Sequence, residues 1–324
     1  MRTRKLRTGL GITELGLGTS QMGNLGQAIT DEDAAATFQT AWDGGIRYFD
    51  TAPHYGLGLS EVRVGDLLRP VPRDQFVLST KVGRLLEPNP RAGVMDDEGF
   101  AVPATLRRRW DFSRDGVLRS VEESLARLGL ERLDIVHLHD PDDHWEQASS
   151  EAVPALVELR EQGVINAVGV GMNQSAMLTE FVRRTDVDLV MCANRYTLLE
   201  QPASADLLPL AAERGISVVV AGVFNSGLLA TPRPAPGAHY DYRPAPPELL
   251  DRVNALADIC ESHGVTLPTA ALAFPLRHPV VAGVVIGVRS PQQCAAALAG
   301  HAATVPDALW AELAEAGFIG SEQA

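Results

Sequence analysis

Eight apolar runs recur along this chain, at residues 15–19, 46–51, 76–82, 133–139, 167–172, 189–193, 217–223 and 281–288. Each is rich in Val, Ile and Leu without polar alternation. A strand with one wet face alternates polar and apolar residues, so continuous runs of this length belong to strands covered on both faces. Stretches of helical period separate them, at 31–43, 61–68, 114–128, 152–162, 176–184, 206–214 and 248–263. One more follows the last run at 291–299, with Ser290 at its N-cap position. Eight strand–helix units without a linker-like stretch predict one (β/α)8 TIM-barrel domain over residues 1–324. A doubly wound open sheet is the competing arrangement.

Three segments stand outside the repeat. Residues 1–14 read as a short N-terminal β-hairpin closing the bottom of the barrel. Residues 83–113, which contain Trp110, and the Pro-rich residues 224–247 are long connections. Both leave C-terminal strand ends, where barrel active sites assemble, so they read as lids or specificity walls.

With 324 residues, 45% of them hydrophobic, the chain has ample core for a soluble globular fold. Its net charge of −13 disfavours nucleic acid and acidic membranes as partners. No apolar run approaches a bilayer span. The basic Met1-Arg2-Thr3-Arg4-Lys5 start lacks a following apolar segment, so no secretory signal is expected. Cys192, Cys260 and Cys294 are unclustered, which fits a reducing, cytoplasmic setting rather than a disulfide framework. The expected partner is a small molecule, and the expected state a monomer or small homo-oligomer.

Chemistry-bearing residues gather at strand ends. Asp50 and Tyr55 follow the second run, Lys81 closes the third and His139 the fourth. An ammonium beside a phenol depresses its pKa towards neutrality, a carboxylate keeps the ammonium charged, and an imidazole binds a carbonyl oxygen. These are the parts of a proton-transfer site. The bland alternative is a structural Asp50–Lys81 ion pair with an ordinary loop phenol. His137 and His139 share a strand face, so metal binding is considered, but no third ligand is evident and Lys81 opposes a cation. No metal is expected, and His137 reads as a hydrogen-bonded core residue. Gly9-Leu10-Gly11 and Gly16-Leu17-Gly18 lack the third glycine of a dinucleotide fingerprint. The candidate phosphate cradle is instead Gly287-Val288-Arg289-Ser290-Pro291, a strand-to-helix turn with one cation.

Together, Phe49-Asp50-Thr51-Ala52-Pro53-His54-Tyr55-Gly56, Ser60-Glu61, Ser79-Thr80-Lys81 and Asp134-Ile135-Val136-His137-Leu138-His139 resemble the aldo-keto reductases over nearly the whole chain. The resemblance implies a catalytic tetrad of Asp50, Tyr55, Lys81 and His139, with hydride exchanged between a nicotinamide cofactor and substrate. It implies cofactor contacts from Thr19, Asp50, Asn173, Arg195, Phe224, Ser226, Gly227, Leu228, Gly287, Arg289 and Gln293. His54, Tyr55, Trp110 and His139 would face the substrate, a sugar or aldehyde, with Asp142, His144 and Trp145 as further lid residues.

Departures from the family pattern are informative. Asn194-Arg195 replaces the usual Asn-Gln, and Ala221 stands where an aromatic commonly stacks on the nicotinamide, leaving Phe224 as the substitute. The positions that grip the 2′-phosphate of NADP read Gly287, Val288 and Gln293 here, with only Arg289 cationic. This tilts the expected cofactor to NAD, with NADP open. The stretches 52–61 and 169–174 look like the sugar-oxidising branch of the family, which includes L-fucose dehydrogenases and related pyridoxal 4-dehydrogenases. The expected activity is therefore oxidation of an aldose at C1 to a lactone. A general aldehyde or ketone reductase is the alternative, and a non-catalytic cofactor-sensing barrel the third.

Overall fold

The computed structural model describes residues 1–91, 93–234, 237–241 and 243–323. Ala92 in the 83–113 connection, Ala235, Pro236 and Tyr242 in the 224–247 loop, and Ala324 lie outside the described residues. The barrel strands are β1 (Leu15–Gly18), β2 (Tyr48–Asp50), β3 (Val77–Val82) and β4 (Ile135–His139). They continue with β5 (Ala167–Met172), β6 (Leu189–Ala193), β7 (Ser217–Ala221) and β8 (Val281–Gly287). All pair in parallel and close in the order β6-β7-β8-β1-β2-β3-β4-β5. The closing seam sets Val284 opposite Leu15 and Gly287 opposite Gly18, which rules out the open sheet and leaves the expected (β/α)8 barrel.

Alternate residues of these strands sort into two apolar sets, which is why the runs show no polar period. Leu17, Phe49, Leu78, Val136, Val170 and Val220 face the helices and join the large core beneath them. Tyr48, Ile135, Ala167, Leu189, Met191 and Val219 fill the barrel interior together with Leu6 and Ile12 of the N-terminal hairpin. Asp50, Lys81 and His139 belong to the inward set by the same alternation, at its upper end. Phe49 stacks on Phe38 of the first helix at 4.9 Å between ring centroids. Truncating Phe49 to Ala would cost about 3–5 kcal/mol.

The helices are α1 (Asp31–Asp43), α2 (Leu59–Leu68), α3 (Arg114–Leu128), α4 (Val153–Glu161), α5 (Ser175–Arg184), α6 (Leu207–Glu213), α7 (Pro247–Ser262), α8 (Leu267–Leu276), α9 (Pro291–Ala302) and α10 (Asp307–Glu315). Their starts are chemically marked. The Thr30 hydroxyl accepts from Asp33 N–H, that of Ser113 from Gly116 N–H, and that of Ser290 from Gln293 N–H. One assignment is corrected. The seventh barrel helix, expected at 248–263, is instead α8, which packs on β8 and α9, while α7 rests against α8 and α10. Leu267 to Leu276 is apolar on all sides and holds Pro268 and Pro275, so it offers no amphipathic period to detect. The helix before β5 also begins earlier than expected, because Trp145–Gln147 and a π-helical turn at Ala148–Ala152 run into α4.

At the bottom, Thr3–Lys5 pairs antiparallel with Gly11–Thr13, as expected of the N-terminal hairpin. Arg4 fastens it by donating to Val281 O, Leu276 O and the Glu14 carboxylate. At the top, the 83–113 connection is more ordered than a loop, since Arg84–Pro88 pairs antiparallel with Leu106–Trp110. A buried polar pin holds β3 to two helices. The Glu61 carboxylate, with no exposure, accepts from Thr80 Oγ1 at 2.6 Å and from Arg127 Nε at 2.6 Å.

Candidate active site

The ends of β2, β3 and β4 bring Asp50, Lys81 and His139 to the top of the barrel, and the turn after β2 brings Tyr55 above them. Lys81 Nζ donates to Asp50 Oδ2 at 2.6 Å and to Thr51 O at 2.9 Å. Ser79, one inward position below Lys81, donates to Asp50 Oδ1 at 2.7 Å, so both carboxylate oxygens are engaged. The ammonium sits 4.7 Å from the centre of the Tyr55 ring. The His139 ring meets Tyr55 edge-on, with centroids 5.8 Å apart.

The electrostatics follow from this packing. Burial opposes the charge on Lys81, but Asp50 and Tyr55 outweigh it and push the ammonium up to about 12. Burial raises the Tyr55 phenol above its ordinary value, and Lys81 pulls it down without winning. The expectation of a net-depressed phenol is thus corrected for the free protein, because removal from water outweighs one neighbouring cation. Burial, then the charges of Arg84 and Lys81, holds His139 well below the usual imidazole range, leaving it neutral.

His137 is a second correction. It is fully buried, yet neither ring nitrogen has a hydrogen-bond partner among the described residues. Its imidazole lies over Gly169, where a Cβ would come within 2.2 Å of Nδ1, so only glycine leaves it room. Burial followed by the Lys81 charge lowers it to about 3. Among the described residues, no group of three or more His, Cys, Asp or Glu could hold a metal ion.

At the same end of the barrel opens a cleft of about 1060 Å³, bounded by the chain after β1, β6, β7 and β8. Phe224, Ser226, Gly227, Gly287, Arg289 and Gln293 line it together with Asn194, as do Gln21, Gly26 and Gly99, which the sequence reading did not name. At the last glycine of β8, the Gln21 amide lies 2.8 Å from where a Cβ on Gly287 would stand, so any side chain there would displace Gln21. The Gln293 side chain accepts from Arg289 N–H at 2.9 Å and its backbone N–H caps on Ser290, which shapes the turn around the single cation.

Other predicted contacts sit elsewhere. Thr19 is buried, with its hydroxyl donating to Asp50 O at 2.9 Å and 2.7 Å from Ser60 Oγ, so it braces β1 against β2. Arg195 is held by Glu200 at 3.1 Å and Asp241 at 2.9 Å, and Leu228 is buried without exposure. Asn173 Oδ1 accepts from Asn194 Nδ2 at 3.3 Å. Trp145 packs against Phe181 of α5 at 4.7 Å, and Asp142 accepts from Gln174. Trp110, 43% exposed, stands over Phe112 and His144 at the rim.

The comparisons with known proteins agree with this geometry. The model of the Aldo/keto reductase family matches residues 14–317. The chain is an aldo-keto reductase. It is 50% identical over 315 residues to a D-threo-aldose 1-dehydrogenase from Pseudomonas sp, covering 96% of each chain. It is 41% identical over 332 residues to a pyridoxal 4-dehydrogenase from Microbacterium luteolum, covering 97% of this chain and 96% of that one. Among solved structures, an aldo-keto reductase from Bacillus halodurans in its holo form superposes with a TM-score of 0.75 at 27% identity, over 100% of both chains. Aldo-keto reductases use nicotinamide cofactors, and the cleft lined by Gly222, Gly227 and Gly287 has room for one in this chain. No helix among the described residues of this aldo-keto reductase is long and apolar enough to cross a membrane.

Proposed function

We propose that this aldo-keto reductase oxidises a cyclic aldose at its anomeric carbon, producing a lactone. The observation that carries the reading is the joining of two features at one place. A phenol flanked by a buried ammonium and a neutral imidazole stands at the same end of the barrel as a cleft large enough for a dinucleotide. The identity to a D-threo-aldose 1-dehydrogenase supplies the substrate class.

In this reading a nicotinamide held along Gln21, Phe224, Ser226, Gly287, Arg289 and Gln293 supplies the hydride acceptor. His139, neutral, donates a hydrogen bond to the anomeric oxygen and orients it towards Tyr55. Tyr55 as phenolate takes the anomeric hydroxyl proton while the hydride leaves C1, so the C1–O bond becomes the lactone carbonyl. Lys81 stabilises that phenolate, and Asp50 with Ser79 holds Lys81 in place. In the reducing direction Tyr55 returns the proton. Arg289 is the one Lys or Arg lining the cleft among the described residues, which favours NAD over NADP.

The test follows reduced-nicotinamide absorbance with L-fucose and its stereoisomers, using NAD or NADP, for the unmodified protein and for Tyr55→Phe. Rapid NAD reduction lost in the variant supports the proposal. Turnover of pyridoxal without turnover of any aldose replaces it.

A further inference from the structure

We infer that Arg84, Asp140 and His54 form a hydroxyl-reading collar on the substrate side of the tetrad, selecting uncharged substrates that carry a hydroxyl next to the reacting carbon. The inference rests on the aldose reading and names the part of the sugar that this site recognises.

Each collar residue is mounted on a chain segment that already carries a tetrad member. His54 precedes Tyr55, Asp140 follows His139, and Arg84 lies three positions beyond Lys81. The backbone makes this possible at two unusual places. Gly83 adopts φ +109°, and a Cβ there would fall 2.2 Å from the Phe112 ring, so the strand turns sharply before Arg84. Asp140 sits at φ +46°, a left-handed conformation that a non-glycine residue adopts only where its surroundings impose it. The result brings its carboxylate to Arg84 and within 3.6 Å of His139 Nε2.

Arg84 is nearly buried. Its Nη1 donates to His54 Nδ1 at 3.1 Å and its Nη2 to Asp140 Oδ2 at 2.5 Å, while its guanidinium lies 4.3 Å from the centre of the Trp110 ring. Because His54 Nδ1 accepts, its proton is on Nε2, which faces no hydrogen-bond acceptor among the described residues. Arg84 Nε is buried without a partner as well. Asp140 Oδ1 likewise has none of the hydrogen bonds made by Oδ2. Among the described residues the collar therefore leaves the His54 Nε2 donor and the Asp140 Oδ1 acceptor unused, which is the complement of a hydroxyl, itself both donor and acceptor.

Placement and charge define what fits. His139 Nε2 and Asp140 Oδ2 are 3.6 Å apart, close enough for both side chains to meet oxygens on adjacent carbons of one ligand. The His54 and His139 rings lie 5.5 Å apart, so an oxygen on His139 has its neighbour within reach of the collar. Asp140 neutralises Arg84, and Glu98 stands 3.7 Å from the same guanidinium. No net positive charge remains to hold a phosphate or carboxylate. The collar suits a neutral polyol.

The experiment measures kcat and KM for oxidation of L-fucose and its 2-deoxy counterpart with NAD, and for reduction of propanal with NADH, in the unmodified protein, Asp140→Asn and Arg84→Met. The unmodified protein is expected to favour L-fucose over the 2-deoxy sugar by about 30-fold in kcat/KM. Both substitutions are expected to collapse that ratio to within about threefold, chiefly through KM, and to cost propanal reduction at least tenfold less than fucose oxidation. Equal handling of the two sugars by the unmodified protein overturns the inference without needing a variant. So does a sugar ratio that survives Asp140→Asn, which keeps the side-chain shape. Propanal turnover with no aldose turnover overturns the aldose reading itself, and the collar with it.

Discussion

Around the rim of the barrel, β2 and β4 end in Asp50 and His139 and β3 carries Lys81 one residue before its end, whereas β1 and β8 end in Gly18 and Gly287, and Gly222 follows β7. On the first wall, the Asp50–Lys81 pair is almost wholly buried and Ser79 occupies the second carboxylate oxygen. On the second, glycines and backbone leave a cleft bearing one arginine. One wall satisfies its own hydrogen bonds and is organised before any ligand arrives; the other is shaped to be completed by one. Proton-transfer geometry benefits from the first kind of construction, since displacements of an ångström are costly there. Binding and release of a large cofactor benefit from the second.

The comparison can be broken at its charged wall. Tyr55→Phe should lower kcat about 10³-fold, read by nicotinamide absorbance, while the cofactor Kd from tryptophan fluorescence stays within about threefold. A Kd that weakens in step with kcat would mean the two walls are not separable. Lys81→Met should lower kcat by about 10² and move the ascending, low-pH limb of the oxidation pH profile upward, because the charge that pulls the Tyr55 phenol down is gone. It should also cost about 3 kcal/mol in urea unfolding, since Asp50 is left buried without its partner.

The glycine wall is probed more gently. Arg289→Gln should raise KM for NADP about tenfold more than KM for NAD, by loss of a phosphate contact. The smallest effect concerns acid stability. His54, held at about 2 by burial and by Arg84, and His137, held at about 3, stay neutral in the folded protein and charge near 6.5 when unfolded. The unfolded chain binds the extra protons, so stability falls as pH drops below that value. Between pH 6.5 and 5.5 each such histidine costs about 1 kcal/mol. Urea unfolding of His54→Gln at both pH values should show a slope reduced by that amount, and an unchanged slope would refute it.

Much of this was legible in the sequence for a physical reason. Strands buried on both faces leave uninterrupted apolar runs, so the eight-fold repeat is visible from residue identity alone, and reactive side chains at their ends declare the upper face. The hairpin of Arg84–Pro88 with Leu106–Trp110 was not legible, because its strands meet across a long excursion and carry no shared period. Arg84 was missed for the same reason. The α8 helix escaped because an element apolar on every side has no amphipathic signature. The engagement of Arg195 by Asp241 and the unpartnered ring of His137 depend on which groups meet in space, and no local pattern reports that. The direction of the Tyr55 shift turned on the depth of burial, which spacing does not encode.

The pin formed by Glu61, Thr80 and Arg127 has a consequence for how such an enzyme changes over generations. It grips β3 one residue before Lys81, whereas the hairpin that carries Arg84 begins two residues after Val82. Lineages can therefore lengthen, shorten or rewrite that hairpin while the lysine keeps its station. On the function proposed above, substrate range is free to drift on one side of the pin while the reaction keeps its place on the other.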